Sequence, residues 1–371
     1  MTATAGGNAI TDLGYTDTPQ IINIEAKNQY VAASLSSTGY GIFRHSFLHN
    51  NVSDCFVMQN PTIVPQYQWY LDTVLCESNG GRGPTVIAPA GAAFTGTIAN
   101  TTLTVASGLT GTLLVGETVT GATVTMGTII TAFGTGTGGL GTYTVNNSQS
   151  ISSEALATSG LMTMGTWTNV FSFGNTGKGA SFLGNSSVRI YGVRIFGGFL
   201  GTDGDVEAYF DTYSGGHEIA SLFTELSGTN SCIQFTANNT DAVLSGVVAH
   251  ACKTAGINNA ATTLLSIVGG SLDGNGTYGL LNSGVANMSG VSCLSNTTAN
   301  VSNSGALTWQ GLCPTSGYTI ANLPACPTAT AAGQRAYVTN GVAAPALGSA
   351  VSTTGTTVDS VLCSAAGWVY G

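Results

Sequence analysis

Short segments of one recurring form run through most of the sequence and constrain its fold more than any other feature. Each has two or three alternating apolar positions, a corner rich in Asn or Gly, and a small residue followed by an apolar one. The segments are SFLHNNVSDCFV (46–57), TVLCESNGGRGPTV (73–86), LFTELSGTNSCI (222–233), VAHACKTAGI (248–257), SLDGNGTYGL (271–280) and SCLSNTTANV (292–301). The last four close at Ile233, Ile257, Leu280 and Val301, in steps of 24, 23 and 21 residues. A unit this short buries its apolar side only by stacking on the next unit.

A period in the low twenties predicts a right-handed parallel β-helix. Each turn then holds about three short strands, whose alternate side chains fill a narrow interior. Asn and Gly suit the corners, because both tolerate positive φ and Asn can hydrogen-bond to its own backbone there. Asp273 is therefore expected to be a corner residue, aligned with Leu294 or Ser295 of the next turn, and not a catalytic acid. Leucine-rich repeats have comparable periods but need a leucine pattern that this sequence lacks.

Composition supports an all-β chain and argues against several partners. Only 7% of the residues are charged, against about 25% in ordinary domains, and 43% are hydrophobic, which argues against disorder. Thr, Val, Ile and Tyr are abundant, as expected of strands. The net charge of −9 offers no basic patch for phosphates. We therefore expect no nucleic-acid partner. Because no long apolar run or secretory signal is visible either, we also expect no membrane insertion.

Changes in composition along the chain predict five regions. A short arm (1–20) precedes the first β-helix turns (21–91). Residues 92–158 are nearly free of charge and dense in Thr and Gly, which predicts an inserted antiparallel β-sandwich or barrel. The main β-helix follows (159–313), and a β cap closes the chain (314–371). Because the open ends of a solenoid expose strand edges and apolar interior, we expect this cap to be donated around a threefold axis in a homotrimer.

The cysteines recur at nearly the spacing of the repeat. They lie at Cys55, Cys76, Cys232, Cys252, Cys293, Cys313, Cys326 and Cys363. Three pairs are 21, 20 and 20 residues apart, which predicts single buried thiols stacked on successive turns, with disulfides as the alternative. Cys313 and Cys326, which flank a Pro-containing loop, are the expected exception. No Cys or His spacing of a metal site is present, so we expect no metal and no cofactor.

Two further stretches resemble sequence modules of tailed bacteriophages. A Thr/Gly-rich module of tail fibres, tailspikes and other virion proteins resembles TLTVASGLTGTLLVGETVTG (102–121) and GTGTGGLGTYTVNNSQSI (134–151). A C-terminal element of phage tail and receptor-binding proteins is similar to residues 318–371, with their LP, GQRAYVTN and GW landmarks. The predicted β-helix resembles the pectate-lyase-like solenoid of tailspikes. The resemblance implies a trimeric adhesin exposed on a virion.

Acidic residues concentrate in one short stretch, which makes it the candidate site for chemistry. The stretch contains Asp203, Asp205, Glu207, Asp211, Glu218 and Glu225. In an extended segment Asp203, Asp205 and Glu207 share one face. These three and Glu218 are candidate catalytic carboxylates for a glycosidic bond, with Ca²⁺ binding or a solvated acidic loop as alternatives.

Three other residues of this stretch are candidates for ligand binding. Tyr209 and Tyr213 could stack on sugar rings or fill the interior of the coil. His217 is either part of the same site or a loop residue.

These observations predict a structural virion protein, similar to a tail fibre or tailspike, that binds a host-surface glycan or receptor. Its other expected partners are further virion proteins. The alternative is a tailspike depolymerase that cleaves host polysaccharide with paired carboxylates. Either protein would be assembled in the host cytoplasm and would lie on the virion surface, in the tail or a fibre.

Overall fold

The structure is a computed structural model, and the residues it describes form strands and no helix. Accordingly, none of the described residues belongs to a helix with the length and hydropathy of a membrane span. The described residues are 7–12, 20–35, 40–59, 68–88, 91–163, 165–184, 188–211, 214–236, 239–260, 264–310, 313, 335–341, 350, 357–364 and 367–370.

The first turns contain eight strands before the inserted segment. They are β1 (Ile10–Asp12), β2 (Gln20–Ile22), β3 (Glu25–Lys27), β4 (Ala33–Leu35), β5 (Tyr40–His49), β6 (Phe56–Gln59), β7 (Gln68–Glu77) and β8 (Pro84–Ile87). The inserted segment follows with β9 (Ala93–Thr110), β10 (Thr118–Gly121), β11 (Ile130–Phe133) and β12 (Gly141–Thr163).

The later turns run from residue 166 to residue 310. Their strands are β13 (Thr166–Phe173), β14 (Ala180–Leu183), β15 (Val188–Tyr191), β16 (Arg194–Gly201), β17 (Ala208–Phe210), β18 (Ser214–Gly215), β19 (His217–Ala220), β20 (Phe223–Glu225), β21 (Ile233–Phe235), β22 (Asp241–Ser245), β23 (Val248–His250), β24 (Ala255–Asn259), β25 (Leu264–Val268), β26 (Ser271–Asp273), β27 (Tyr278–Asn282), β28 (Val285–Ser289), β29 (Ala299–Asn303) and β30 (Ala306–Gln310).

The predicted parallel solenoid is confirmed by the strand register. One strand of each turn belongs to a ten-stranded sheet that ends in β21, β24, β27 and β29, and most of the other solenoid strands form a fourteen-stranded sheet. In the ten-stranded sheet Ile233 pairs with Ile257, Ile257 with Leu280, and Leu280 with Val301. The four closing residues of the sequence repeat therefore form one column in the core, where all four are buried.

The inserted segment is antiparallel and has a core of its own. Strand β12 pairs with β9 along most of its length, with β11 near its start and with β10 further on. Backbone hydrogen bonds also join the β10 and β11 segments, including Val119 N to Thr128 O at 2.8 Å. The strands thus close on themselves as a small barrel around the cluster that contains Phe94, Leu103 and Tyr143.

The end of β12 connects this barrel to the solenoid, because it pairs in parallel with β15, which in turn pairs with β18. At the C-terminal end of the chain, β31 (Arg335–Gly341), β32 (Thr357–Ser364) and β33 (Gly367–Tyr370) form an antiparallel sheet. Most of the predicted cap lies outside the described residues.

Each turn has a corner of constant construction after its strand in the fourteen-stranded sheet. The corner residue takes a positive φ, as at Asn50 (52°), Ser78 (53°) and Thr202 (58°). The next residue points inward and forms a ladder with its counterparts in other turns. The side-chain amide of Asn51 donates to Asn79 at 2.7 Å, for example. The predicted Asn corners are thus present, but the ladder amides bond to neighbouring turns and not to their own backbone.

Asp273 lies where the repeat predicts. It ends β26 beside the corner residue Gly274, whose N–H donates to Leu294 O of the next turn. The Asp273 carboxylate accepts from Leu294 N at 2.6 Å. It therefore has a structural role, linking two turns.

The prediction of stacked free thiols is wrong. Disulfides join Cys55 to Cys76, Cys232 to Cys252 and Cys293 to Cys313, with Cα–Cα distances of 5.6, 5.4 and 4.6 Å. Because strands on adjacent turns lie about 4.8 Å apart, a cysteine on each turn falls within disulfide reach. The predicted Cys313–Cys326 bridge is wrong as well, since Cys313 pairs with Cys293. Cys326 lies outside the described residues.

Candidate functional site

The acidic stretch is not the extended segment that its alternation predicts. Residues 202–207 form a corner between β16 and β17, with Thr202 in the left-handed region. Asp203 and Glu207 point into the solenoid and are fully buried, while Asp205 is partly exposed. The expectation of three carboxylates on one face is therefore wrong, because residues 203–207 form a bent corner and not a strand, and strand alternation does not apply to them.

Asp203 is a rung of the interior ladder. Its Oδ1 accepts from the side-chain amide of Asn175 and from the Asn175 backbone N–H, both at 2.8 Å. Its Oδ2 accepts from the Ser172 hydroxyl at 3.1 Å. The carboxylate thus stands where Asn stands in the preceding turns, and its hydrogen bonds hold successive turns together.

Glu207 lies beside Asp203 in the same enclosed space. Its Oε1 accepts from Asp203 N at 3.2 Å, whereas Oε2 has no hydrogen-bond partner among the described residues. Burial, and then the charge of Asp203, raise the pKa of Glu207 to about 11. Burial also raises the pKa of Asp203, against hydrogen bonds from Glu207 and Asn175. The raised pKa of Glu207 favours its protonated form, and both carboxyl groups lie inside the solenoid, where a polymer has no access.

Asp205 and Tyr209 meet through Lys178 on the outer surface. The Lys178 Nζ lies 2.6 Å from Asp205 Oδ2 and 4.5 Å from the centre of the Tyr209 ring. Burial tends to raise the pKa of Asp205, but hydrogen bonds from Lys178 and Asn230 hold it below its usual value. Burial and the charge of Asp211 raise the pKa of Tyr209 to about 12. All these groups have partners, so the cluster fastens neighbouring turns to one another.

The other predicted residues lie apart from this cluster. His217 is a core residue, only 2% exposed, with its ring 4.7 Å from that of Phe210. Glu218 is on the outer face of β19 and pairs with Arg194 at 3.5 Å. Tyr213 lies outside the described residues. The structure thus divides the predicted site into an interior pair, a surface cluster, a core imidazole and an exposed ion pair.

Sequence reasoning missed a line of large apolar side chains on the outside of the fourteen-stranded sheet. We call it the aromatic strip, and its residues, in order along the solenoid, are Phe47, Leu75, Phe171, Phe199 and Phe223. Each pairs in register with the next, so the strip has one residue per turn. Four steps of about 4.8 Å give it a length of roughly 19 Å.

The rings of the strip are ordered by contacts with one another and with a glycine. Phe199 and Phe223 stack with centroids 5.7 Å apart, and Phe223 is 37% exposed. The Phe199 ring also lies over Gly201, where a Cβ would come within 2.6 Å of it. Gly201 therefore makes room for Phe199 to lean toward Phe173, 6.4 Å away.

A second line of outward residues runs beside the strip, two positions further along each strand. We call it the flanking column, and it consists of Lys27, His49, Glu77, Phe173, Gly201, Glu225, His250 and Asp273. It places carboxylates and imidazoles next to apolar rings. Such a combination offers both flat apolar contacts and hydrogen-bonding groups to a ligand lying along the solenoid.

An open groove of about 540 Å³ lies at the N-terminal end of the strip. Its lining includes Asn23, Glu25, His45, Phe47, Thr73 and Leu75. Asn23, His45 and Thr73 take positive φ of 57°, 49° and 55°, so three successive turns bend at the same place. The groove falls within the size range of ligand sites in proteins, about 300–1,000 Å³. The described residues contain no cluster of three or more His, Cys, Asp or Glu side chains that could hold a metal.

Comparisons with known proteins find similarity among solved structures and none among sequences. No protein-family model matches the sequence, and no curated protein matches it. Among solved structures, the chain is similar to full-length tailspike protein 2 (TSP2, ORF211) from Escherichia coli O157:H7 bacteriophage CAB120. The two chains share 11% sequence identity, with a TM-score of 0.37. The match covers 80% of this chain and 38% of the tailspike chain, so this chain spans well under two thirds of that protein's length.

Proposed function

We propose that this chain is a structural virion protein of a tailed bacteriophage, similar to a tailspike, that attaches to a host-surface glycan along the aromatic strip. It binds the glycan and does not cleave it. Its working form is a homotrimer in the phage tail, joined to other virion proteins. The Thr/Gly-rich segment and the C-terminal segment, which resemble phage modules, support the viral assignment.

The aromatic strip is the observation that carries this proposal. A parallel solenoid repeats one position at a fixed distance of about 4.8 Å per turn, so residues in register form a straight ladder. A polysaccharide also repeats along a line, and the apolar face of a sugar ring packs well on an aromatic ring. The strip, from Phe47 to Phe223, is a continuous surface for such a chain.

The placement of the predicted carboxylates supports binding over hydrolysis. A glycosidase needs two carboxyl groups that reach the scissile bond from opposite sides. Asp203 and Glu207 lie inside the solenoid with no exposed surface. The carboxylates of Asp205 and Glu218 are occupied by Lys178 and Arg194.

The test measures binding and cleavage with the same protein. Full-length protein is applied to immobilised lipopolysaccharides and capsular polysaccharides of candidate hosts, and reducing ends are assayed in parallel. Replacing both Phe199 and Phe223 with alanine removes two aromatic contacts of about 1 kcal/mol each, so affinity should fall about 30-fold.

The matched control is the double variant Leu264→Ala and Val285→Ala. These residues also pair on successive turns of the same sheet, and they are 48% and 40% exposed, but they lie off the strip. Their loss should leave binding unchanged. Release of reducing ends by the wild-type protein, or equal binding by both double variants, would overturn the proposal.

A further inference from the structure

Charged groups around the aromatic strip are unevenly distributed. On the flanking column Glu77, Glu225 and Asp273 bear carboxylates, and none of them has an ion-pair partner among the described residues. Each of the three keeps some solvent exposure. In register, Glu225 and Asp273 are separated by one turn, which places His250 between them. Glu77 and Glu225 therefore place negative charge beside the strip at Leu75 and Phe223, and Asp273 continues this charge two turns beyond Phe223.

Positive charge near the strip is already matched by negative charge. Lys27 Nζ lies 3.4 Å from Glu25 Oε1, and His49 Nε2 lies 3.1 Å from the same oxygen. On the opposite side of the strip, Arg44 stands in register with Asp72 of the next turn. Lys178 and Arg194 have carboxylate partners elsewhere. No ion pair of the described residues involves Glu77, Glu225 or Asp273, and the exposed cation nearest to them in sequence is Lys253, in the corner that follows His250.

We infer that the aromatic strip takes a neutral polysaccharide and rejects chains that carry uronate, sialate or phosphate groups. This inference rests on the proposed function and adds the class of glycan. A polyanion laid on the strip brings like charges beside the flanking column, which opposes binding, whereas a neutral chain meets no such repulsion. The carboxylates accept hydrogen bonds from sugar hydroxyls, so they also serve a neutral ligand. The net charge of −9 adds repulsion of polyanions over a longer range.

Removing negative charge from the flanking column should affect binding to acidic polysaccharides more than binding to neutral ones. The triple variant Glu77→Gln, Glu225→Gln and Asp273→Asn keeps the hydrogen-bonding shape and removes three negative charges. At low salt it should bind acidic polysaccharides at least about tenfold more tightly than the wild type, with binding to neutral ones changed less than about threefold. Added salt should shrink the gain, because screening weakens interactions between exposed charges.

Glu218→Gln is the matched control, since Glu218 is also exposed but pairs with Arg194 away from the strip. It should not change binding to either class. Circular dichroism of each variant establishes that the fold is retained. If the triple variant unfolds, the salt dependence of wild-type binding to the acidic polymers gives the same answer, because repulsion predicts tighter binding as salt rises.

An array of bacterial surface polysaccharides, with neutral and acidic members, separates the possible outcomes. Binding confined to neutral members, lost in the Phe199→Ala and Phe223→Ala double variant, supports the inference. Binding confined to acidic members overturns it but leaves the proposed attachment function standing. Binding to none overturns both. If the phenylalanine substitutions instead change the oligomeric mass, the strip is an interface between copies of the chain, and the inference is wrong.

Discussion

Replacement of His217 with phenylalanine is expected to make the protein more resistant to acid. The His217 ring lies between Phe210 and Phe235, with centroid distances of 4.7 and 6.4 Å. Neither ring nitrogen has a hydrogen-bond partner within the described structure. Burial lowers the pKa of His217 to about 3, although the charge of Asp241 acts in the opposite direction. The folded solenoid therefore holds this imidazole in its neutral form.

The pH dependence follows from the difference between the folded and unfolded states. Above pH 6.5, the ordinary pKa of histidine, the imidazole is neutral in both states and stability does not depend on it. As the pH falls from 6.5 toward 3, the unfolded chain binds a proton that the folded chain does not, so folding loses stability. The loss reaches about 3 kcal/mol at pH 4 and about 4 kcal/mol at pH 3. Phenylalanine removes this loss.

Equilibrium unfolding in guanidinium at pH 7, 5 and 4, at one protein concentration, measures the effect. The larger phenyl ring can cost about 1–3 kcal/mol through overpacking, but that cost does not depend on pH. For each pH, the free energy of unfolding of the wild type is subtracted from that of the variant. The test is how this difference changes with pH. His217→Gln, which also cannot titrate there, should show the same change from a lower starting stability. A difference that stays constant from pH 7 to pH 4 would refute the reasoning.

Three further outcomes are expected. Glu207→Gln should gain stability relative to the wild type as the pH rises from 5 to 9. Because the pKa of Glu207 is raised in the folded state, the wild-type protein loses stability as the pH rises above 4.5, whereas glutamine does not titrate. A difference in denaturation midpoints that does not change with pH contradicts this. Removing the Cys232–Cys252 bridge, which closes a 20-residue separation, should lower the free energy of unfolding by about 3 kcal/mol, and unchanged stability argues against a formed bridge. Light scattering should give the mass of three 37.4 kDa chains, whereas a monomer excludes the trimer.

The sequence predicted those parts of the fold in which the repeat is regular. Ile233, Ile257, Leu280 and Val301 form a column because each turn needs an apolar residue at the same interior position, and the spacing shows this directly. The disulfides were within reach of the same reasoning. Once turns are known to stack about 4.8 Å apart, cysteines one turn apart are within bonding distance.

The candidate site was harder to predict because it depends on register across interruptions. Leu75 and Phe171 are neighbours on the strip, yet the inserted barrel separates them in sequence, so counting repeats cannot align them. Asp203 and Glu207 were misplaced for a different reason. Strand alternation was applied to a corner, and the ladder that requires an inward polar group at Asp203 becomes visible only when Asn175 is stacked beneath it.

Stability and attachment use different sides of the same strands, and this separation has a physical basis. In β16 and the corner that follows it, Phe199 faces outward on the strip, while Asp203 faces inward on the ladder. Stacking of turns places both in lines along the solenoid, but only the outer line is in contact with solvent. A change to an outer residue removes contacts with a ligand and little core packing, whereas a change to an inner one disturbs hydrogen bonds between turns. Substitutions on the strip should therefore alter affinity at nearly constant stability, and those at Asp203 should do the reverse.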